Sequence, residues 1–175
     1  MDGARGMTEK RTGFTHEPSN STEFEWYTPP EVFTAMGLRF DLDPCAPPGG
    51  VPWIPADKYY TETDDGLSQP WFGRVWLNPP YGKQTGQWLR MLAEHGNGVA
   101  LVFSRTDPVW FHEAAVNASL ICFTRGRIRF VRSDGRPSGT GGSGSMFLAY
   151  GEENASYLYA SGLGACVRPI GDGKR

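Results

Sequence analysis

The chain has 175 residues, is 39% hydrophobic, and carries a formal net charge of −2. That length predicts one domain with a core of its own, and the weak acidity argues against a protein that coats nucleic acid, while leaving room for a local basic face. No run of about 18 apolar residues reads as a membrane span, the polar stretch Met1 to Ser21 lacks the apolar segment of a secretory signal, and three cysteines without a C-x-x-C pair speak against a disulfide framework or a zinc site and for a reducing cytoplasm. His16, His95 and His112 show no ligand spacing, so no metal is expected.

Residues 1–22 have no periodicity and read as a flexible arm, with order starting near Phe24-Glu25-Trp26. Thr28-Pro29-Pro30-Glu31 reads as a helix start: Thr28 as N-cap, Pro29 at the first helical position, and Glu31 completing a capping box. Val32, Phe33 and Met36 mark its apolar face and Gly37 its stop. Leu38 to Asp43 alternates with period two and predicts a strand, followed by a loop from Pro44 to Gly50 and an irregular stretch over 51–73. Arg74-Val75-Trp76-Leu77 is the next strand, and Gln84 to His95 an amphipathic helix. Gly98 to Phe103 is a continuous apolar run, as in a strand buried on both faces. A helix over Val109 to Val116, a strand over Leu120 to Phe123 and another over Arg127 to Arg132 follow. Gly135 to Gly144 predicts a flexible loop and Ser145 to Tyr150 a further strand. Strands alternating with helices predict an α/β fold with a largely parallel sheet. The domain is expected over 23–151, with 152–175 as a C-terminal extension packed on it.

Asn78-Pro79-Pro80-Tyr81 is the most informative segment. Two consecutive prolines donate no ladder hydrogen bonds, so the chain must leave the sheet there. What remains is a rigid turn with an amide, free carbonyls and an aromatic ring. The exocyclic nitrogen of adenine is a poor nucleophile because its lone pair is delocalised. Asn78 and the Pro79 carbonyl are acceptors suited to its two hydrogens, acting on charge that develops in the transition state. Tyr81 is suited to stack on a base swung out of the duplex. A Pro-rich turn with no chemistry is the plain alternative. Asp43-Pro44 and Asn78-Pro79 both stand at strand ends, where α/β sheets bind ligands.

Asn78-Pro79-Pro80-Tyr81 resembles the catalytic motif of amino-group methyltransferases that use S-adenosylmethionine. Trp26-Tyr27-Thr28-Pro29-Pro30-Glu31 is similar to the N-terminal motif of adenine-N6 DNA methyltransferases, and Phe40-Asp41-Leu42-Asp43-Pro44-Cys45-Ala46 matches the first cofactor-binding strand and loop. With Arg125-Gly126-Arg127-Ile128-Arg129-Phe130 downstream, the order resembles the phage-type DNA N6-adenine methyltransferase family. The resemblance implies a single compact Rossmann-like S-adenosylmethionine-dependent methyltransferase domain, acting on DNA in the cytoplasm of a bacterium or phage-infected host. It implies that Asn78, Pro79, Pro80 and Tyr81 are catalytic and that Trp26, Thr28, Pro29, Asp43 and Pro44 line the cofactor side. Asp64 or Asp65 is a candidate for the cofactor's ribose or adenine, with solvated loop acids as the alternative. Arg125, Arg127 and Arg129 form a basic run suited to phosphates, unless they are an ordinary solvated face. One departure is the proline-stiffened loop Pro47-Pro48-Gly49-Gly50, where Rossmann-like methyltransferases at large have a Gly-rich one. The short chain implies short or relaxed sequence specificity, or a second subunit such as a homodimer partner. Cytosine N4, RNA bases and protein glutamine are rival substrates, and a non-catalytic DNA-binding module is the rival of another class.

Overall fold

The structure, a computed structural model, describes residues 26–171. The arm over 1–22, with Phe24 and Glu25, lies outside the described residues. In chain order the elements are α1 (Pro30–Met36), β1 (Phe40–Asp43), β2 (Ala56–Tyr59), β3 (Val75–Leu77), α2 (Thr85–His95), β4 (Gly98–Phe103), α3 (Val109–Ala115), β5 (Leu120–Thr124), β6 (Phe130–Val131), β7 (Pro137–Gly139), β8 (Ser145–Tyr150), α4 (Glu152–Ala160) and β9 (Gly164–Val167). Seven strands form one mixed sheet in the order β2-β1-β3-β4-β8-β5-β9, while β6 and β7 pair separately as a hairpin.

The sheet is parallel from β2 to β4. It reverses at β8, which is antiparallel to both β4 and β5, and again at β9, antiparallel to β5. From β1 the chain goes to one side to form β2 and then to the other to form β3. The β1/β3 pair is therefore the point where strand order reverses, and in open α/β sheets ligands bind beyond the carboxyl ends of strands at such a point.

Alternation along the central strands sorts the core into two layers. Val75, Leu77, Ala100, Val102, Met146 and Leu148 meet α2 and α3 on one face. Trp76, Val99, Leu101, Phe147 and Ala149 meet α1 and α4 on the other. Both faces of β3, β4 and β8 are covered, which is why these strands are apolar but for Ser145 at the start of β8 and the Tyr150 hydroxyl at its end.

Several local expectations shift. Helix α1 starts one residue late: Pro29 is the N-cap, extended at ψ 153°, and no side chain caps it. The residue before a proline is driven out of the helical region, so Pro30 forces Pro29 to stay extended, and Thr28 is displaced from the cap. Gly37 ends the helix at φ 65° as predicted. The segment 127–132 contributes only the two-residue β6; Arg125 to Arg129 are not strand. The glycine-rich stretch is not a free loop, since β7 within it pairs with β6. Ala56–Tyr59, inside the stretch read as irregular, is an edge strand, and the segment after Gly151 supplies both α4 and the last strand of the sheet.

Candidate functional site

Strand β3 is fully buried and delivers Asn78 to the carboxyl edge of the sheet. Its side-chain Nδ2 donates to the Trp26 carbonyl at 2.9 Å. A carbonyl only accepts, so this bond settles the amide's orientation and turns Oδ1 away from Trp26. That oxygen is buried and has no hydrogen-bond partner among the described residues. Nor does any described residue donate to the Pro79 carbonyl. The Pro80 carbonyl accepts from Thr85 Oγ1 at 3.2 Å, which ties the turn to the start of α2.

Cys45 stitches the neighbouring strand end to this one. Its N–H donates to Asp43 Oδ1 at 3.1 Å, and its thiol donates to the Asn78 carbonyl at 3.1 Å. Burial, and then the Asp43 carboxylate, push the Cys45 thiol well above its usual range, so it stays a neutral donor. Asp43 is 4% exposed. Burial pushes its carboxyl up to about 7, offset in part by the Cys45 N–H. Asp43 borders a cavity of about 210 Å³ between the Pro-rich loop and β2, lined also by Ala46, Gly50, Val51, Ile54 and Tyr59. The Asn78 turn does not line that cavity.

The N-terminal segment closes the group. Thr28 and Pro29 are buried, and Thr28 Oγ1 has no partner among the described residues. The Thr28 carbonyl accepts from Trp53 Nε1 at 2.9 Å. Pro44 is buried against Gly66, where a Cβ would stand 2.0 Å from the Pro44 carbonyl oxygen. Asn78 is thus joined directly to Trp26, and through Cys45 to Asp43, with Pro44 next to Asp43 in the chain and Thr28 and Pro29 following Trp26.

Tyr81 lies with its ring stacked on Phe103, 3.9 Å between centroids and 14° between planes. Its hydroxyl is buried without a partner among the described residues, and burial raises the phenol's pKa. The Arg105 guanidinium sits 5.8 Å from the Phe103 centroid, within cation–π range.

The remaining predicted residues are peripheral. Asp65 is exposed, adopts φ 53°, and accepts a hydrogen bond from the Ser68 hydroxyl. Asp64 caps a short 3-10 turn by accepting from the Thr61 N–H and hydroxyl, and these bonds lower its pKa. Arg125, Arg127 and Arg129 are exposed. The strand that follows them is tied to the N-terminal segment, since Tyr27 and Val131 exchange backbone hydrogen bonds at 3.0 Å each and Trp26 packs edge-on against Phe130 at 5.4 Å. Arg127 also donates to the Gly141 carbonyl. Among the described residues no cluster of three or more His, Cys, Asp or Glu is arranged to hold a metal ion.

Sequence reading missed Phe103, Arg105, Trp53 and Gly141. Phe103 carried a usable signal, since it ends a buried parallel strand next to β3 and therefore lies at the same end of the sheet.

No curated protein and no solved structure matches the chain. Over residues 15–159, however, it matches the family described as DNA N-6-adenine-methyltransferase (Dam), a stretch that includes every residue of the site above. That match covers most of the chain, and the protein belongs to the DNA N-6-adenine-methyltransferase (Dam) family.

Proposed function

We propose that the protein is a site-specific DNA methyltransferase that moves the methyl group of S-adenosylmethionine to adenine N6, on a Rossmann-like fold. The observation that carries this reading is Asn78 Oδ1: a buried acceptor with no partner, held at the sheet's switch point by a bond on its other atom. A buried orphan acceptor is costly unless something with an N–H fills the site, and an amino group on a flat ring is that something.

The cofactor fits the neighbouring residues. Thr28 Oγ1 is a second buried orphan, and Asp43 borders a cavity large enough for part of such a molecule. Trp26, Thr28, Pro29, Asp43 and Pro44 would hold it, and Asp65 would have to turn from Ser68 to join them. When bound, the cofactor supplies an electrophilic methyl group on a sulfonium.

The chain's own residues prepare the nucleophile. Asn78 Oδ1 and the Pro79 carbonyl accept one amino hydrogen each, which draws the nitrogen toward a tetrahedral geometry and frees its lone pair. A bound sulfonium would supply the methyl group to that lone pair, and the amino proton that the nitrogen loses would leave to solvent. Pro80 keeps the turn rigid. Phe103 occupies one face of Tyr81, so a flipped base has only the other face to stack on. Arg125, Arg127 and Arg129 contact phosphates.

Radiolabelled methyl transfer to unmethylated DNA, followed by nucleoside analysis, tests this reading. Wild type should yield N6-methyladenine, and Asn78→Ala should lower kcat roughly 10²- to 10³-fold, the range for losing a preorganised transition-state contact. Wild type that makes no N6-methyladenine, or Asn78→Ala that behaves as wild type, would sink it. N4-methylcytosine as the product would redirect it to the other base.

A further inference from the structure

Arg127 belongs to the basic run, yet part of its guanidinium is turned inward. Its Nη1 donates to the carbonyl of Gly141, across the glycine-rich stretch that follows β7. Gly141 is buried although its neighbours in that stretch are mostly exposed. The reason is Phe103: a Cβ at Gly141 would stand 2.6 Å from Cε1 and 3.0 Å from Cζ of that ring. Backbone therefore lies directly on the phenyl ring, and only glycine permits the approach. Phe103 in turn stacks on Tyr81 at 3.9 Å. The Ser104 N–H donates to the Gly144 carbonyl at 2.8 Å, fastening the other end of the same stretch to the strand that carries Phe103. The order of contact is Arg127, Gly141, Phe103, Tyr81.

We propose that Arg127 is a positioning residue for the base-stacking ring: it clamps Gly141 onto Phe103, and Phe103 fixes the plane and depth of Tyr81. This rests on the methyltransferase reading of the Asn78 turn, and goes beyond it by giving Arg127 a role that its charge alone does not. Arg125 and Arg129 show no such internal bond among the described residues, so phosphate contact is the whole of their proposed role, while Arg127 has both. The clamp also bears on the glycine-rich segment, which it makes a fixed wall beside the stacking ring rather than a loose flap.

The test compares Arg127→Met, Gly141→Ala and Arg129→Met in the full chain. A phosphate contact acts through affinity: its loss raises KM for DNA and flattens the salt dependence of binding. A clamp acts through geometry: small misplacements in the reacting complex lower kcat. We expect Gly141→Ala, which changes no charge, to lower kcat roughly ten- to a hundredfold with KM for unmethylated DNA and the salt slope nearly unchanged. Arg127→Met should show the same loss of kcat, whereas Arg129→Met should raise KM and spare kcat. Amide hydrogen exchange over 139–144 gives a readout that does not need activity, and Arg127→Met should speed it while Arg129→Met does not. Arg127 is exposed, so its variant keeps the fold even where Gly141→Ala fails to. Unchanged exchange in Arg127→Met overturns the clamp whatever the activity. Wild-type kcat in a folded Gly141→Ala or in Arg127→Met overturns its link to catalysis. Wild type without methyl transfer would instead sink the enzyme reading, while the exchange experiment still decides the clamp.

Discussion

Burial of Asp43 makes the protein's stability depend on pH near neutrality. Its carboxyl is pushed up to about 7 in the folded chain, above a value of 3.8 when unfolded. The stabilising share of the protonated group is complete below the unfolded value. It falls as pH rises, because the unfolded chain sheds the proton first, and is gone above the folded value. Asp43→Asn should therefore flatten the decline between about pH 4 and pH 7 and stabilise the ligand-free protein at about pH 8 by a few kcal/mol. Denaturant unfolding at about pH 5 and about pH 8 measures it, and equal slopes in variant and wild type would remove Asp43 as the cause. At this scale the strand-end positions of the candidate residues were legible. Asn78 and Asp43 stand out in sequence because each is a polar residue set before proline at the end of a strand. Phe103 does not, because stacking on Tyr81 is a contact between residues far apart in the chain, and an aromatic at the end of an apolar run looks like core.

Among elements, the turn after β1 packs against a residue that looks unremarkable in sequence. Gly66 sits against the Pro44 carbonyl, where a Cβ would be 2.0 Å from oxygen, so backbone must move to admit any side chain. Gly66→Ala should cost roughly 1–3 kcal/mol by forcing that movement, and should weaken cofactor binding because Pro44 is displaced. Thermal unfolding and calorimetry check the two effects, and a variant as stable as wild type would show that the loop yields freely. Elements with a strong internal pattern were readable: α2 by its apolar stripe and glycine stop, β4 and β8 by unbroken apolar runs. The start of α1 was misplaced because two prolines compete for one cap, and the second wins by constraining the first. Strand β2 was hidden because Ala56 to Tyr59 is mostly exposed and lies at the sheet edge, so neither alternation nor apolarity marks it.

The whole molecule is two helical layers on a mixed sheet, and its last segment is part of that plan. Helix α4 covers β8 and β5 through Ala155 and the fully buried Leu158, and β9 extends the sheet beyond β5. Leu158→Ala should destabilise the protein by about 2–5 kcal/mol, as expected for a large buried aliphatic side chain. Its unfolding should stay a single transition if the segment is integral; an early, separate loss of α4 would mean that it is merely appended. The parallel half of the sheet was foreseeable from strand–helix alternation. Its antiparallel half was not, because inserting β8 between β4 and β5 is decided by long-range pairing that leaves no local mark.

Six buried side-chain nitrogen or oxygen atoms among the described residues have no hydrogen-bond partner, and three of them are Thr28 Oγ1, Asn78 Oδ1 and the Tyr81 hydroxyl. These three positions are thus locally frustrated: the contacts that hold the residues in place do not satisfy these atoms. Foldable sequences keep such conflicts few, and those that remain tend to gather where function requires them. On the proposed reading, a hydrogen-bonding ligand would resolve that conflict, so ligand binding should raise the protein's thermal stability.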